Sequence, residues 1–172
     1  MKLTYAGDMP LLENILARRN AAETPLDGTD CHAALRAYQK RHLREAQLRM
    51  LDIMKAIRTV CDNNNITYWL DSGTLLGAVR HGGFIPWDDD MDMGMLRQDY
   101  EKFCRIAPEK LKPEYCLQTW YTESNYALPF GKVMKRGTVY LENKKTRRLE
   151  NNGIYVDIFP YDYAPEDDFT RK

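Results

Sequence analysis

Apolar residues recur along the first half of the chain at helical spacing. Met50, Met54, Ile57 and Cys61 fall at i, i+4, i+7 and i+11, and Leu43, Ala46 and Leu51 widen the stripe. Lys, Arg and Gln fill the opposite face, so the pattern predicts an amphipathic helix over Ala33–Cys61 whose Met-rich stripe packs into a core. Asn63-Asn64-Asn65 ends it, because Asn is a poor helix former that tolerates a left-handed exit. Upstream, PLLENILARRNAA predicts a short helix and ETPLDGTD a loop, with Thr29 or Asp30 as the N-cap of the long helix.

Downstream the period changes. Ile66–Asp71 is β-branched and aromatic and predicts a strand. Ser72-Gly73 then forms a turn, with Thr74 a candidate N-cap for a short helix that runs to Arg80 and stops at Gly82-Gly83. Phe84-Ile85-Pro86-Trp87 reads as an apolar loop, and Asp90–Met95 as a second strand. Asp99–Ile106 suits a helix that Pro108 stops. YCLQTWY, KVMKRGTVYLEN and GIYVDIF (Gly153–Phe159) predict further strands. Strands mixed with helices, without a regular βαβ repeat, indicate an α+β fold with a mixed β-sheet core flanked by helices. The expected organisation is a partly irregular segment over residues 1–32 and one domain over 33–172.

The 172 residues carry 25 Lys+Arg against 25 Asp+Glu, and this zero balance lacks the footprint of a general nucleic-acid binder. No apolar run nears the roughly 18 residues of a membrane span. The N-terminus has Gly, Asp and Pro where a signal peptide needs its apolar stretch. Cys31, Cys61, Cys104 and Cys116 are widely spaced, which argues for reduced thiols and against a zinc site. A cytoplasmic location is expected.

The segment Asp71–Met95, DSGTLLGAVRHGGFIPWDDDMDMGM, holds the chemistry. In a strand Asp90 and Asp92 point the same way, roughly 7 Å apart, while Met91 and Met93 face the core. Two carboxylates on one face repel, which raises a proton affinity or recruits a cation. Oxygen ligands suit Mg²⁺ or Mn²⁺, and such an acid pair can clamp a displacement at phosphorus. Asp157, centred in the apolar run Ile154–Phe159, is costly to desolvate unless paired or metal-bound, although alternation alone could turn it to solvent. The bland reading of the acid tract is a solvated loop. An EF-hand is excluded, since Met93 replaces the required glycine, Asp99 the terminal glutamate, and Gly82, Gly83 and Pro86 the entering helix.

Ser72, Gly73 and Thr74 offer N–H groups and hydroxyls to a phosphate, or form a plain capped turn. Arg80 and His81, beside Gly82-Gly83, are candidates for a loop that contacts phosphate. Lys132 and Lys135 lie three apart, so strand alternation admits only one of them to a site, and Lys132 is the choice.

The run YWLDSGTLLGAVRHGGFIPWDDDMDMGM resembles the signature of the LicD family, which includes the fukutin-related proteins and belongs to the nucleotidyltransferase-fold superfamily. KVMKRGT and NNGIYVDIFPYDYAP resemble later segments of that family, and the likeness spans roughly residues 45 to 165. It implies a nucleotidyltransferase-like sheet, with Ser72-Gly73 as the small-residue turn. Asp90 and Asp92 would be the metal-binding acids and Asp157 the third, each in a catalytic role, with Asp88 and Asp89 supporting them. Ser72, Gly73, Thr74, Arg80, His81 and Lys132 would bind substrate. Met134 departs from the family's KxRK-like segment, where a basic residue is expected.

The implied activity is transfer of a phosphorylated alcohol from a CDP-alcohol donor to a sugar hydroxyl of a cell-surface glycan, such as lipopolysaccharide or teichoic acid, or of its lipid-linked precursor. The resemblance favours phosphocholine from CDP-choline, with CDP-ribitol-type donors as the nearby alternative and the inner membrane face as a place of work. A nucleotidyltransferase releasing pyrophosphate and an inactive nucleotide-binding module are the competing readings. Family members continue past the DIFP segment, so a C-terminally truncated domain is expected. Choline would need an aromatic cage, for which Trp69, Trp87, Trp120, Tyr121 and Tyr161 are candidates, though core packing explains aromatics equally well.

Overall fold

A computed structural model of the chain describes residues 37, 40–124, 126–140 and 153–164. The helix expected over residues 10–22, the caps Thr29 and Asp30 and the start of the long helix at Ala33 lie outside the described residues.

The long helix, α1 (Leu43–Asn63), buries Ala46, Gln47, Met50, Ile53, Ile57, Val60 and Cys61. It ends where the asparagines stand, with Asn64 as C-cap and Asn65 at φ 52°. The first strand, β1, is only Trp69–Leu70. Helix α2 (Ser72–His81) follows at once and closes on Gly82, whose φ of 66° is the left-handed exit that glycine allows. Next come β2 (Asp92–Leu96) and helix α3 (Arg97–Lys110). Pro108 does not stop α3, contrary to expectation. It sits in the last turn, where its missing N–H costs only the bond to the Cys104 carbonyl, and Leu111 N–H closes on Ala107 at 2.8 Å. Three strands complete the fold: β3 (Tyr115–Gln118), β4 (Gly131–Lys135) and β5 (Tyr155–Tyr161). β4 is shorter than KVMKRGTVYLEN suggested, because the chain turns at Gly137 with φ 71°.

The strands form one mixed sheet in the order β1-β2-β5-β4-β3. β2 and β5 run parallel, and the other neighbours are antiparallel. The register puts Met93, Met95, Leu117, Val133, Val156 and Ile158 on one face. α1 and α3 pack against the sheet and each other, and these side chains join Ile53, Ile57 and Phe103 in one buried cluster. The architecture is α+β, as expected. With one face committed to the helices, the buried polar strand residues Gln118, Lys132 and Asp157 occupy the other. No helix among the described residues is long and apolar enough to cross a membrane.

Candidate active site

The second face carries a row of polar side chains, one from each strand position in turn. Leu70 pairs with Met93, which places Asp71 beside Asp92, and Asp71 N–H donates to the Asp92 carbonyl at 3.1 Å. Asp92 pairs with Asp157, Asp157 with Lys132, and Lys132 with Gln118. Paired residues share a face and adjacent strands lie about 4.8 Å apart, so the row is continuous across the sheet. Asp90 lies two residues ahead of Asp92 but outside β2, which begins at Asp92 and not at Asp90 as expected. Met91 and Met93, flanking Asp92, are 4% and 0% exposed, while Asp90 and Asp92 are half-buried.

Asp157 lies in the central strand and is buried, so it is not a strand-end acid turned to solvent. Its Oδ1 is 3.2 Å from the Lys132 ammonium, which also stands 3.5 Å from the Tyr155 ring centroid. Lys135 points to the opposite face, 3.5 Å from Glu114 and 4.7 Å from the Tyr115 ring. The two lysines are thus divided as strand alternation requires.

The acids are short of positive charge. Burial pushes the Asp90 carboxyl up to about 6, helped by Asp92, Asp88 and Asp89. Burial also raises Asp92, reinforced by Asp71 and Asp88 and opposed by Lys132. Carboxylate oxygens of Asp88, Asp89 and Asp90 come within 4.8 Å of one another. Desolvated, mutually repelling carboxylates are the oxygen donor set of a hard divalent cation, and this cluster shares only Asp90 with the expected trio Asp90, Asp92 and Asp157.

The turn after β1 is built differently from the sequence expectation. The N-cap of α2 is Asp71, whose Oδ1 accepts from Ser72 N–H at 2.8 Å, and Thr74 is not the cap. Instead the buried Thr74 hydroxyl accepts from Asp92 N–H at 2.8 Å, tying α2 to the start of β2, and keeps its own proton to donate. A Cβ on Gly73 would fall 2.9 Å from an Asp88 carboxylate oxygen, so glycine admits that acid to the turn. Ser72, Gly73 and Thr74 therefore stand beside the acids. Arg80 and His81 sit at the far end of α2, about 12 Å along the helix from Gly73, exposed and 3.4 Å from one another, and the His81 ring meets that of Trp87, the residue before Asp88, at 6.2 Å between centroids.

Three supports were missed in the sequence. Asp71 was quoted in the motif yet not counted among the acids, because its place follows from the β1–β2 register. Gln47, buried on α1, donates to the carbonyls of Asp88 at 2.8 Å and Ile85 at 3.3 Å, pinning the acid-bearing loop. Gln was expected on the polar face with Lys and Arg, but position 47 falls between Ala46 and Met50 in the buried stripe. The Tyr140 hydroxyl lies 3.0 Å from the Asp89 carbonyl and 3.1 Å from its carboxylate. Met134, at the position where a basic residue was expected, is buried, and its sulfur accepts from Gly153 N–H.

Residues 65–172 match the family described as LicD/FKTN/FKRP, nucleotidyltransferase domain. Among curated proteins, the chain is 35% identical to the lipopolysaccharide cholinephosphotransferase LicD of Haemophilus influenzae over 133 residues, covering 75% of this chain and 48% of that protein. It is 40% identical to the ribitol 5-phosphate transferase FKRP of Homo sapiens over 125 residues, covering 72% of this chain and 23% of that protein. Against the ribitol-5-phosphate transferase FKTN of Mus musculus it is 34% identical over 113 residues, or 64% of this chain and 20% of that protein. The chain thus matches less than half the length of these relatives.

Proposed function

The chain belongs to the LicD/FKTN/FKRP family, and on that premise we propose that it transfers a phosphorylated alcohol from a CDP-alcohol to a sugar hydroxyl of a glycan or its lipid-linked precursor. The names of its relatives, which include a cholinephosphotransferase and ribitol phosphate transferases, support this class of reaction. Phosphocholine is the favoured group, because LicD of Haemophilus influenzae matches the largest share of this chain among the relatives compared above. The observation that carries the reading is the side-by-side placement of Asp92 and Asp157 on one face, with Asp90 two residues before Asp92.

Asp90, Asp92 and Asp157 would hold Mg²⁺ or Mn²⁺, which when bound supplies charge neutralisation for the diphosphate and acidifies the acceptor hydroxyl. The chain's own residues do the rest. Lys132, held against Asp157 and Tyr155, is the cation placed to meet a phosphoryl oxygen at the edge of the acid row. The turn Ser72-Gly73-Thr74, close to Asp88 through Gly73 and to Asp92 through the Thr74 hydroxyl, would orient a phosphate beside the cation. As an alternative to holding the cation, Asp157 would accept the acceptor proton. Phosphoryl transfer needs mainly positioning and charge stabilisation, which a rigid sheet face provides.

The test is the leaving group. Incubated with CDP-choline, Mg²⁺ and a glycan acceptor, the chain should release CMP. Release of pyrophosphate from CTP instead would replace this reading with nucleotidyl transfer.

A further inference from the structure

One step along the strands from the acid row, on the same face, the register places a second row: Trp69, Gly94 and Phe159. Gly94 has no side chain for a physical reason. A Cβ there would fall 2.3 Å from the Trp69 indole, which lies across the glycine. Tyr161, two residues beyond Phe159, meets Trp69 at 5.2 Å between centroids and an interplanar angle of 60°. The two rings therefore meet edge to face, which leaves a re-entrant corner between them, and do not stack. Tyr161 is 42% exposed, and its hydroxyl donates to Asp71 Oδ2 at 2.5 Å. The Asp71 carboxylate thus stands between this corner and Asp92.

Cation–ring contacts among the described residues are Arg97 on Tyr100, Lys132 on Phe130 and Tyr155, and Lys135 on Tyr115. None uses Trp69 or Tyr161. Arg97, the first residue of α3, is taken by Asp162 through bonds of 2.9 and 2.7 Å. At one end of the acid row an ammonium already sits on an aromatic face. At the other end, the aromatic faces and the carboxylate stand ready for one.

We propose that the Trp69–Tyr161 corner, with Asp71 beside it, binds the quaternary ammonium of the transferred alcohol. This assignment rests on the function proposed above and names its substrate class. Two ring faces at 60° suit a compact, rounded cation attracted by the ring quadrupoles. A flat nucleobase would meet only one face. A polyol would find few hydrogen-bonding groups, since the Asp71 carboxylate is already engaged by Tyr161 and Ser72. The corner lies roughly 7 Å along the strands from the acids, a distance that the two-carbon arm of phosphocholine spans.

The test compares CMP, CDP-choline and CDP-ribitol by calorimetric titration with Mg²⁺ on the full chain and on Trp69→Leu, Tyr161→Leu and Tyr161→Phe. CDP-choline should bind at least tenfold tighter than CDP-ribitol. Each Leu variant should weaken CDP-choline about five- to tenfold and leave CMP and CDP-ribitol within about twofold, whereas Tyr161→Phe keeps its ring and most of the preference. Retained CMP binding shows that the nucleotide site is folded. Equal binding of the two CDP-alcohols, or a preference that survives both Leu variants while CMP still binds, overturns the assignment alone. Loss of all Mg²⁺-dependent nucleotide binding by the unaltered chain overturns the underlying function and the assignment with it.

Discussion

Asp92 and Asp157 are direct partners across the parallel strands β2 and β5, and the next pair in the register is Met93 with Ile158. The acids and the core are therefore set by one pairing. A slip of one residue in either strand would send its carboxylate into the helix-covered face and its apolar neighbour out, so burial of the core fixes the geometry of the site.

The raised Asp90 carboxyl makes stability depend on pH. Folded Asp90 keeps its proton up to about 6, against the ordinary carboxylate value of 3.8, so between those values the folded state binds more protons than the unfolded chain. Stability from this group is present at low pH and is lost as pH rises through that window. Asp90→Asn should accordingly be more stable than the unaltered chain at pH 7 without divalent cation. The expected gain is about 1 kcal/mol, after discounting for the half-exposed position. The gap should close below pH 4. Urea denaturation of both proteins at several pH values measures it, and a variant less stable at pH 7 would contradict the account.

The Lys132–Asp157 pair is buried on both sides, with side-chain exposures of 7% and 12%. Lys132→Met leaves a carboxylate in the sheet without its ammonium, at a cost of about 3 kcal/mol. Adding Asp157→Asn should recover most of that loss, because the uncompensated charge goes too. A double-mutant cycle on denaturation free energies checks this, and simple additivity would show that the two residues act independently.

Gly94→Ala should lower stability by about 2 kcal/mol and shift tryptophan fluorescence, since its new methyl would force Trp69 off the sheet. An unchanged spectrum with full stability would mean that the indole does not lie where it is placed.

Gln47→Leu keeps the bulk of a side chain that is 2% exposed but removes its bonds to Ile85 and Asp88. The acid loop loses its anchor to α1, with an expected cost of about 1–2 kcal/mol. Mg²⁺ affinity should fall as well, which calorimetry with Mg²⁺ alone reads directly.

How much of this was legible in the sequence follows from the range of each interaction. The alternation Asp90-Met91-Asp92-Met93, the acid in the middle of β5 and the choice of Lys132 over Lys135 depend on the two-residue period of a strand, and all three can be read locally. The membership of Asp71 in the row depends on which strand lies beside β1, information that no window around Asp71 contains. The same applies to Gln47, whose partners are 38 and 41 residues away. Ile66–Asp71 looked like a full strand, yet only Trp69–Leu70 pairs, because β1 lies at the sheet edge and leads directly into α2. Arg80 and His81 were expected in a loop beside Gly82-Gly83, whereas they form the last turn of α2, which only Gly82 ends.

The central claim is that Asp90, Asp92 and Asp157 form a cation-dependent site for a CDP-alcohol. Calorimetric titration of CDP-choline, with and without Mg²⁺, on the chain and on Asp92→Asn tests it most directly. The account predicts saturable binding that requires Mg²⁺ and disappears in Asp92→Asn. Binding that is equal without Mg²⁺, or that survives in Asp92→Asn, would contradict it.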